Sequence, residues 1–299
     1  MVDINKLGEI LERIANSLEV IAEYCRSKME MKGANIREGN IMNNEVEFPS
    51  SELKVANDIS KIEEFLHSRG IRIKSLRKED NEDEVLDRIA FFMGERYSYI
   101  KEFYLYLKRF LNTGKAFSLH LKGYKQKEIA SITQLCTLLH DIAFLEEYRY
   151  LKSPKYHLYA KVNKIPIAIN FFTGGWLERY VKTAVIKAIN TSGLNLNYSY
   201  LKNPQIILPN EDDFELDILF RIKEHFFWFE AKTGDYQKYV EKYSKIARIL
   251  RLDREHAYMI LTDITETVSD KLDRIFKMRV VPIGKFYDSF RESLRFLLS

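Results

Sequence analysis

Two apolar runs close together in the chain constrain its fold more than any other feature. The first, Phe214 to Arg221, reads Phe-Glu-Leu-Asp-Ile-Leu-Phe-Arg, and the turn-rich Asn210-Glu211-Asp212-Asp213 precedes it. The second, His225 to Lys232, reads His-Phe-Phe-Trp-Phe-Glu-Ala-Lys. Short runs this apolar read as strands buried on both faces, as in a sheet with helices packed on each side. Both runs nevertheless carry charge. Asp217 falls inside the first, and Glu230 and Lys232 end the second. Charge in such a place is costly unless something pairs with it.

Glu230 and Lys232 are two residues apart, so their side chains share one face of the sheet. If the runs pair as a hairpin, Asp217 lies beside Glu230. Two carboxylates so placed repel each other unless a divalent cation joins them, and hard oxygen ligands suit Mg²⁺ or Mn²⁺. The Ala231 backbone carbonyl is a further candidate ligand. Lys232 would then orient or deprotonate an attacking water and stabilise charge growing on a phosphate. The competing reading is structural, a buried salt bridge between Lys232 and Asp217 or Glu230.

Upstream, Gly174 and Gly175 interrupt an apolar run, and a helix follows to about Asn190. Glu178 falls in its first turn, where a carboxylate can be aimed at a site beside the sheet. Downstream, Thr233-Gly234 breaks the second run and a helix is expected over Asp235–Leu252. Lys238, Lys242, Lys245 and Arg248 recur along one face of it, a stripe suited to tracking phosphates or simply to staying solvated. Strands at Ala257–Leu261 and Arg279–Pro282, with a helix between them, complete a mixed sheet.

The order helix Glu, strand Asp, strand Glu-x-Lys, helix resembles the active-site order of the PD-(D/E)xK, or restriction-endonuclease-like, nuclease superfamily. The stretches from Gly174 to Glu178, Glu215 to Leu219 and Glu230 to Gly234 are similar to the nuclease domain of CRISPR-associated, ring-nucleotide-activated defence nucleases. The resemblance covers about Ile165 to the C-terminus. It implies that Glu178, Asp217 and Glu230 are the catalytic, metal-holding carboxylates and Lys232 the catalytic lysine. It also implies a cytoplasmic endonuclease of prokaryotic antiviral defence, with DNA favoured as substrate. An RNase using the same site, or an oligomeric DNA-binding protein with an inactive nuclease fold, are the alternatives. No counterpart of the family's Rossmann-like sensor is recognisable before Ile165, so the ring-nucleotide trigger is not part of the expectation.

The first half of the chain is organised differently. Ile4, Leu7, Leu11, Ile14, Leu18, Ile21 and Cys25 alternate spacings of three and four, the narrow seam of a coiled coil. Residues 1–28 are therefore expected to form a helix that joins copies of the chain into a homo-oligomer, or docks on a neighbouring domain. A linker over 29–49 follows, rich in breakers such as Lys32-Gly33 and Asn43-Asn44. Residues 50–164 read as a helical, winged-helix-like domain, and 165–299 as the nuclease domain. Within the middle domain a helix starting at Ser50 or Ser51 is ended by Gly70. A second helical stretch, Asp83–Leu111, is aromatic enough to offer a base-stacking surface, although aromatics at helical spacing more often form core. A helix over Lys127–Phe144 then leads to a hairpin of Tyr148–Leu151 and Tyr156–Val162 with a basic tip, which is how a winged helix ends.

Composition excludes more than it selects. With 46% hydrophobic and 30% charged residues, only 12 Gly and 6 Pro, the chain can bury a real core. Its net charge of +4 is too small to argue for nucleic acid by itself. Two distant cysteines fit a reducing compartment and no disulfide scaffold. No signal peptide or membrane-length apolar stretch is recognisable. The six histidines show no ligand spacing, and no phosphate-cradling glycine loop or nucleophilic serine motif stands out.

Overall fold

The computed structural model describes residues 58–77, 81–194 and 196–298. The coiled-coil helix expected over 1–28, the linker over 29–49 and the N-cap at Ser50 or Ser51 lie outside the described residues. In chain order the elements begin with α1 (Ser60–His67), β1 (Arg72–Ser75), α2 (Asn81–Glu95), α3 (Tyr97–Leu111), β2 (Phe117–His120), α4 (Gln126–Asp141), β3 (Leu145–Leu151) and β4 (His157–Val162). Helix α5 (Pro166–Asn170) and a turn at Phe171–Gly175, kinked at Gly174, lead into α6 (Trp176–Asn190). There follow β5 (Tyr198–Lys202), β6 (Gln205–Ile207), β7 (Asp213–Glu215), β8 (Ile218–Ile222), β9 (His225–Lys232) and α7 (Val240–Ile249). The last elements are β10 (Ala257–Leu261), α8 (Glu266–Ile275), β11 (Arg279–Pro282) and α9 (Ile283–Leu298). The fold is mixed α/β, as the sequence implies. Among the described residues no helix is long and apolar enough to cross a membrane.

Two compact units divide these elements, one built from residues 99–169 and the other from 58–98 with 170–298. The helices expected to belong to a middle domain before residue 99 thus group with the sheet of the second unit. The reason is packing: Ile62, Phe65 and Leu66 of α1 share one core with Leu201, Leu219 and Trp228.

The second unit is organised by a five-stranded sheet in the order β11-β10-β9-β8-β5. β9 pairs parallel with β10 and antiparallel with β8, so the two apolar runs do form a hairpin, with Ile218 opposite Phe229. Central position explains composition. Phe227, Trp228 and Phe229 are all fully buried. Trp228 faces the cluster that includes α1 and α7, whereas Phe229 packs edge-on against Phe286 and Phe290 of α9. Burying each such side chain contributes about 1.5–3 kcal/mol before entropy is counted. A small antiparallel sheet, β1-β6-β7, completes the unit.

The first apolar run is two strands rather than one. β7 pairs with β6 in the small sheet and β8 with β5 and β9 in the large one. Leu216 and Asp217 occupy the crossing between them. Likewise the Asp83–Leu111 stretch is two helices, α2 and α3, that part at Arg96. Most of its aromatics are core: Phe91, Phe92, Tyr97, Phe103 and Tyr104 are buried, whereas Tyr106 is exposed. Gly94 is required by close approach, because an added Cβ would run into the Tyr180 ring.

A buried ionic network ties α2 to α6 and β5. Arg179 pairs with Asp83, and its Nη1 lies 2.9 Å from Asp87 Oδ1. Lys182 Nζ lies 2.5 Å from Asp87 Oδ2, and Lys202 Nζ lies 3.8 Å from Asp83 Oδ1.

The first unit is smaller. α4 is followed by the β3–β4 hairpin, and β2 adds to it to give an antiparallel sheet ordered β2-β4-β3. Phe117, Leu119, Leu158 and Ala160 turn inward and join Ile132, Leu135, Cys136 and Leu139 among the buried residues.

Candidate active site

The site lies where β9 ends and the chain crosses from β7 to β8. β5 stops at Lys202. Asn203 then adopts a left-handed backbone (φ 49°), and its N–H donates to the Asp217 carbonyl at 2.9 Å. That clamp holds Asp217 at the crossing with its side chain turned towards β9. Asp217 Oδ2 accepts the Ala231 N–H at 2.8 Å and the Lys232 ammonium at 3.0 Å. Glu230 Oε1 accepts the Asp217 N–H at 3.2 Å and the Trp228 indole N–H at 3.1 Å. Lys232 Nζ also stands 3.1 Å from Glu230 Oε2. The expected juxtaposition of Asp217, Glu230 and Lys232 is therefore present. Asp217 and Glu230 are buried, while Lys232 is a quarter exposed.

Glu178 reaches the same place from α6. It occupies the helix's first turn, and the kinked turn before that helix is fastened to the end of β9 by the Thr233 hydroxyl, which donates to the Thr173 carbonyl at 3.1 Å. The Asn203 side-chain amide donates to Glu178 Oε2 at 2.9 Å. Asn203 thus binds Asp217 with its backbone and Glu178 with its side chain.

Electrostatics makes the group unusual. Burial, reinforced by the Asp217 charge, pushes Glu230 well above the usual carboxylate range despite Lys232 beside it. Burial and Asp217 also raise Glu178, with Asn203, Lys232 and Lys202 acting the other way. Burial alone would lower Lys232, but the Glu230 and Asp217 carboxylates outweigh it and hold the ammonium above its ordinary value. Three buried or half-buried carboxylates against one lysine leave an excess of negative charge, and clusters of this kind concentrate at functional sites.

Among the described residues no three His, Cys, Asp or Glu side chains form a ready metal cage. The donor set still fits Mg²⁺ or Mn²⁺, because Mg²⁺ keeps several waters and takes one or two protein carboxylates. Asp217 and Glu230 supply two, both hard oxygen donors. Glu230 Oε2 is buried with the Lys232 ammonium 3.1 Å away and no other partner, so a cation bound at this carboxylate would share it with Lys232.

The remaining sequence candidates fall elsewhere. Helix α7 is shorter than expected, so Lys238 stands in the turn before it. Lys242, Lys245 and Arg248 are exposed on the helix, but Lys242 lies over the Phe214 ring and Lys245 pairs with Glu241 at 2.8 Å. His225 and His256 form a stacked pair at the opposite end of β9, about 23 Å from Lys232 at roughly 3.3 Å per residue.

Sequence reasoning missed Asn203, Trp228, Glu215 and Tyr243. Glu215 is raised by burial and by Asp217, and Tyr243 lies beneath Lys232, 5.3 Å from ring centre to Nζ. Trp228 had a legible signal, since it shares the strand face of Glu230. Asn203 carried one only in the Asn203-Pro204 break between two strands.

No family model matches the sequence, and no curated protein matches it. Among solved structures the chain shares its fold with protein VC1899 from Vibrio cholerae, at 15% identity and TM-score 0.54, covering 79% of this chain and 60% of that one. It is similarly related to Can2 from Sulfobacillus thermosulfidooxidans, solved in complex with cyclic tetra-adenylate. There the identity is 12% and the TM-score 0.50, over 78% of this chain and 59% of Can2. The chain thus spans less than two thirds of either neighbour.

Proposed function

We propose that this protein is a metal-dependent endonuclease that hydrolyses phosphodiester bonds, with DNA as its substrate and a role in prokaryotic antiviral defence. The observation that carries this reading is the meeting of Asp217, Glu230 and Lys232 at the end of the central strand, with Glu178 delivered from α6 through Asn203. The same residues give the PD-(D/E)xK resemblance, and the Can2-like fold supports the defence setting.

In this reading Asp217 and Glu230, with the Ala231 carbonyl, hold Mg²⁺ or Mn²⁺, and Glu178 completes the acidic set. The metal supplies a Lewis acid for the phosphoryl oxygen and lowers the pKa of bound water. Lys232 orients the attacking water and offsets charge growing on the phosphate. Asn203 and Trp228 position Glu178 and Glu230 without touching substrate. Lys238, Lys242, Lys245 and Arg248 are assigned to the approaching strand, and Lys245 must release Glu241 to reach it. Residues 1–28 join copies of the chain in the cytoplasm, so that two sites act on one duplex.

The test is incubation of the purified full chain with supercoiled plasmid and with a structured RNA, in Mg²⁺, Mn²⁺ or EDTA. Plasmid nicking or linearisation in either metal, abolished by EDTA, is the expected result. Equal activity in chelator removes the metal from the mechanism. Cleavage of the RNA alone replaces the DNA reading with the RNase reading on the same residues.

A further inference from the structure

The chain's modest net charge hides a strong local imbalance. Residues 99–169 hold twelve Lys and Arg against five Asp and Glu, a formal +7, whereas the whole chain is only +4. Five of these twelve cations gather at one end of the first unit. Lys122 and Lys125 lie in the turn between β2 and α4, Lys127 opens α4, and Lys152 and Lys155 form the turn between β3 and β4. The Leu121 N–H donates to the Tyr156 carbonyl at 2.8 Å, which fastens the two lysine-bearing turns side by side. All five lysines are exposed.

Three of the unit's five acids are already engaged, two of them beside these lysines. Glu102 accepts the Tyr124 hydroxyl at 2.6 Å, Glu128 accepts the Lys125 backbone N–H at 2.7 Å, and Glu146 pairs with Lys161 at 2.9 Å. Beside the lysines, the exposed residues Ala130, Gln134 and Thr137 continue the Lys127 face of α4 at spacings of three and four. That face is small and neutral, with no negative charge before Asp141.

From these observations we propose that this end of the first unit binds duplex DNA, its lysines on the phosphate backbone and the neutral face of α4 towards the major groove. A polyanion needs only such point charges. A protein partner would call for apolar anchors, and among the described residues Leu151 is the one exposed large apolar side chain that α4 and these two turns carry or adjoin in sequence. A helix with small polar side chains fits a groove about 12 Å wide. The proposal deepens the nuclease reading by naming where DNA is held, and the two fail separately because binding is measured here without cleavage.

The experiment is fluorescence anisotropy of a labelled duplex of about 20 bp with the full chain in EDTA, across a salt series. The comparison is with Lys122→Ala/Lys125→Ala/Lys152→Ala/Lys155→Ala. Each phosphate contact adds about 0.9 to the slope of log affinity against log salt, so the fourfold variant should lose up to ~3–4 of slope and about 10²-fold of affinity. Lys61→Ala/Lys285→Ala removes two exposed lysines already paired with Glu64 and Glu266, and is expected to bind as wild type. Melting curves confirm that both variants fold. Unchanged affinity and slope in the fourfold variant overturns the proposal. So does tighter binding to a single strand of the same length, or an equal loss in the control variant.

Discussion

Glu230→Gln is expected to reduce cleavage by roughly 10²–10⁴-fold, the range lost with a charge-handling catalytic group, while leaving the protein at least as stable as wild type. The substitution keeps the shape of a side chain that accepts the Asp217 N–H and the Trp228 indole N–H. It removes a charge that burial and Asp217 disfavour. The pH dependence follows from the direction of that shift. A carboxyl whose folded-state pKa is raised binds its proton more tightly in the folded protein than in the unfolded chain. Its contribution to stability is complete below the ordinary value of 4.5 and is lost as pH rises through the raised folded value. Wild-type melting temperature in EDTA should therefore decline as pH climbs above 4.5, and Glu230→Gln should flatten much of that decline. Glu178, shifted in the same direction, leaves a residual slope. If the cluster were only a structural salt bridge, Glu230→Gln would lower stability instead, since Lys232 would lose a partner.

The second large effect is on folding. Asp87→Ala should destabilise the protein by about 3–5 kcal/mol, the usual consequence of removing one side of a buried ion pair. For a unit of this size that is roughly 6–20 °C in melting temperature. The magnitude follows from what is left behind. Arg179 and Lys182 are almost fully buried and both rest on Asp87. Lys202, also buried, makes no hydrogen bond through its Nζ, and burial together with Arg179 and Lys182 already lowers it to about 8. Without Asp87, Arg179, Lys182 and Lys202 would be left with Asp83, which already pairs with Arg77 as well. Arg179 is the residue after Glu178, so the network also fixes the helix that carries the acid. Thermal or urea unfolding measures the effect. A melting temperature within a degree or two of wild type would mean that water or local rearrangement compensates for Asp87.

These expectations draw on structure that was unevenly legible in the sequence. β9 could be read almost residue by residue, because a central strand covered on both faces must be apolar throughout, and any charge in it stands out. The Asp217–Glu230 juxtaposition followed from the hairpin. The split of the first run into β7 and β8 did not, since one apolar stretch served two sheets and the division depends on β6 and on Pro204. Asn203 was invisible for a related reason: its role is set by a backbone turn between distant strands. The α2–α6 ionic network was equally hidden, because Asp83 and Asp87 look like the wet face of an isolated helix. Only the packing of α2 on α6 encloses them. Residue 99 as a unit boundary was obscured by α3, whose helical pattern runs through it.

The most direct test of the central claim is plasmid cleavage by wild type and Lys232→Ala in the same Mn²⁺ buffer, read beside their melting curves. Lys232 links Asp217 and Glu230 and is the residue on which the catalytic and structural readings disagree most. The account predicts that wild type cuts, and that Lys232→Ala remains folded in Mn²⁺ but cuts about 10²–10⁴-fold more slowly. A folded Lys232→Ala protein that cuts at the wild-type rate would contradict it, as would a wild-type chain inert on plasmid and RNA in both metals.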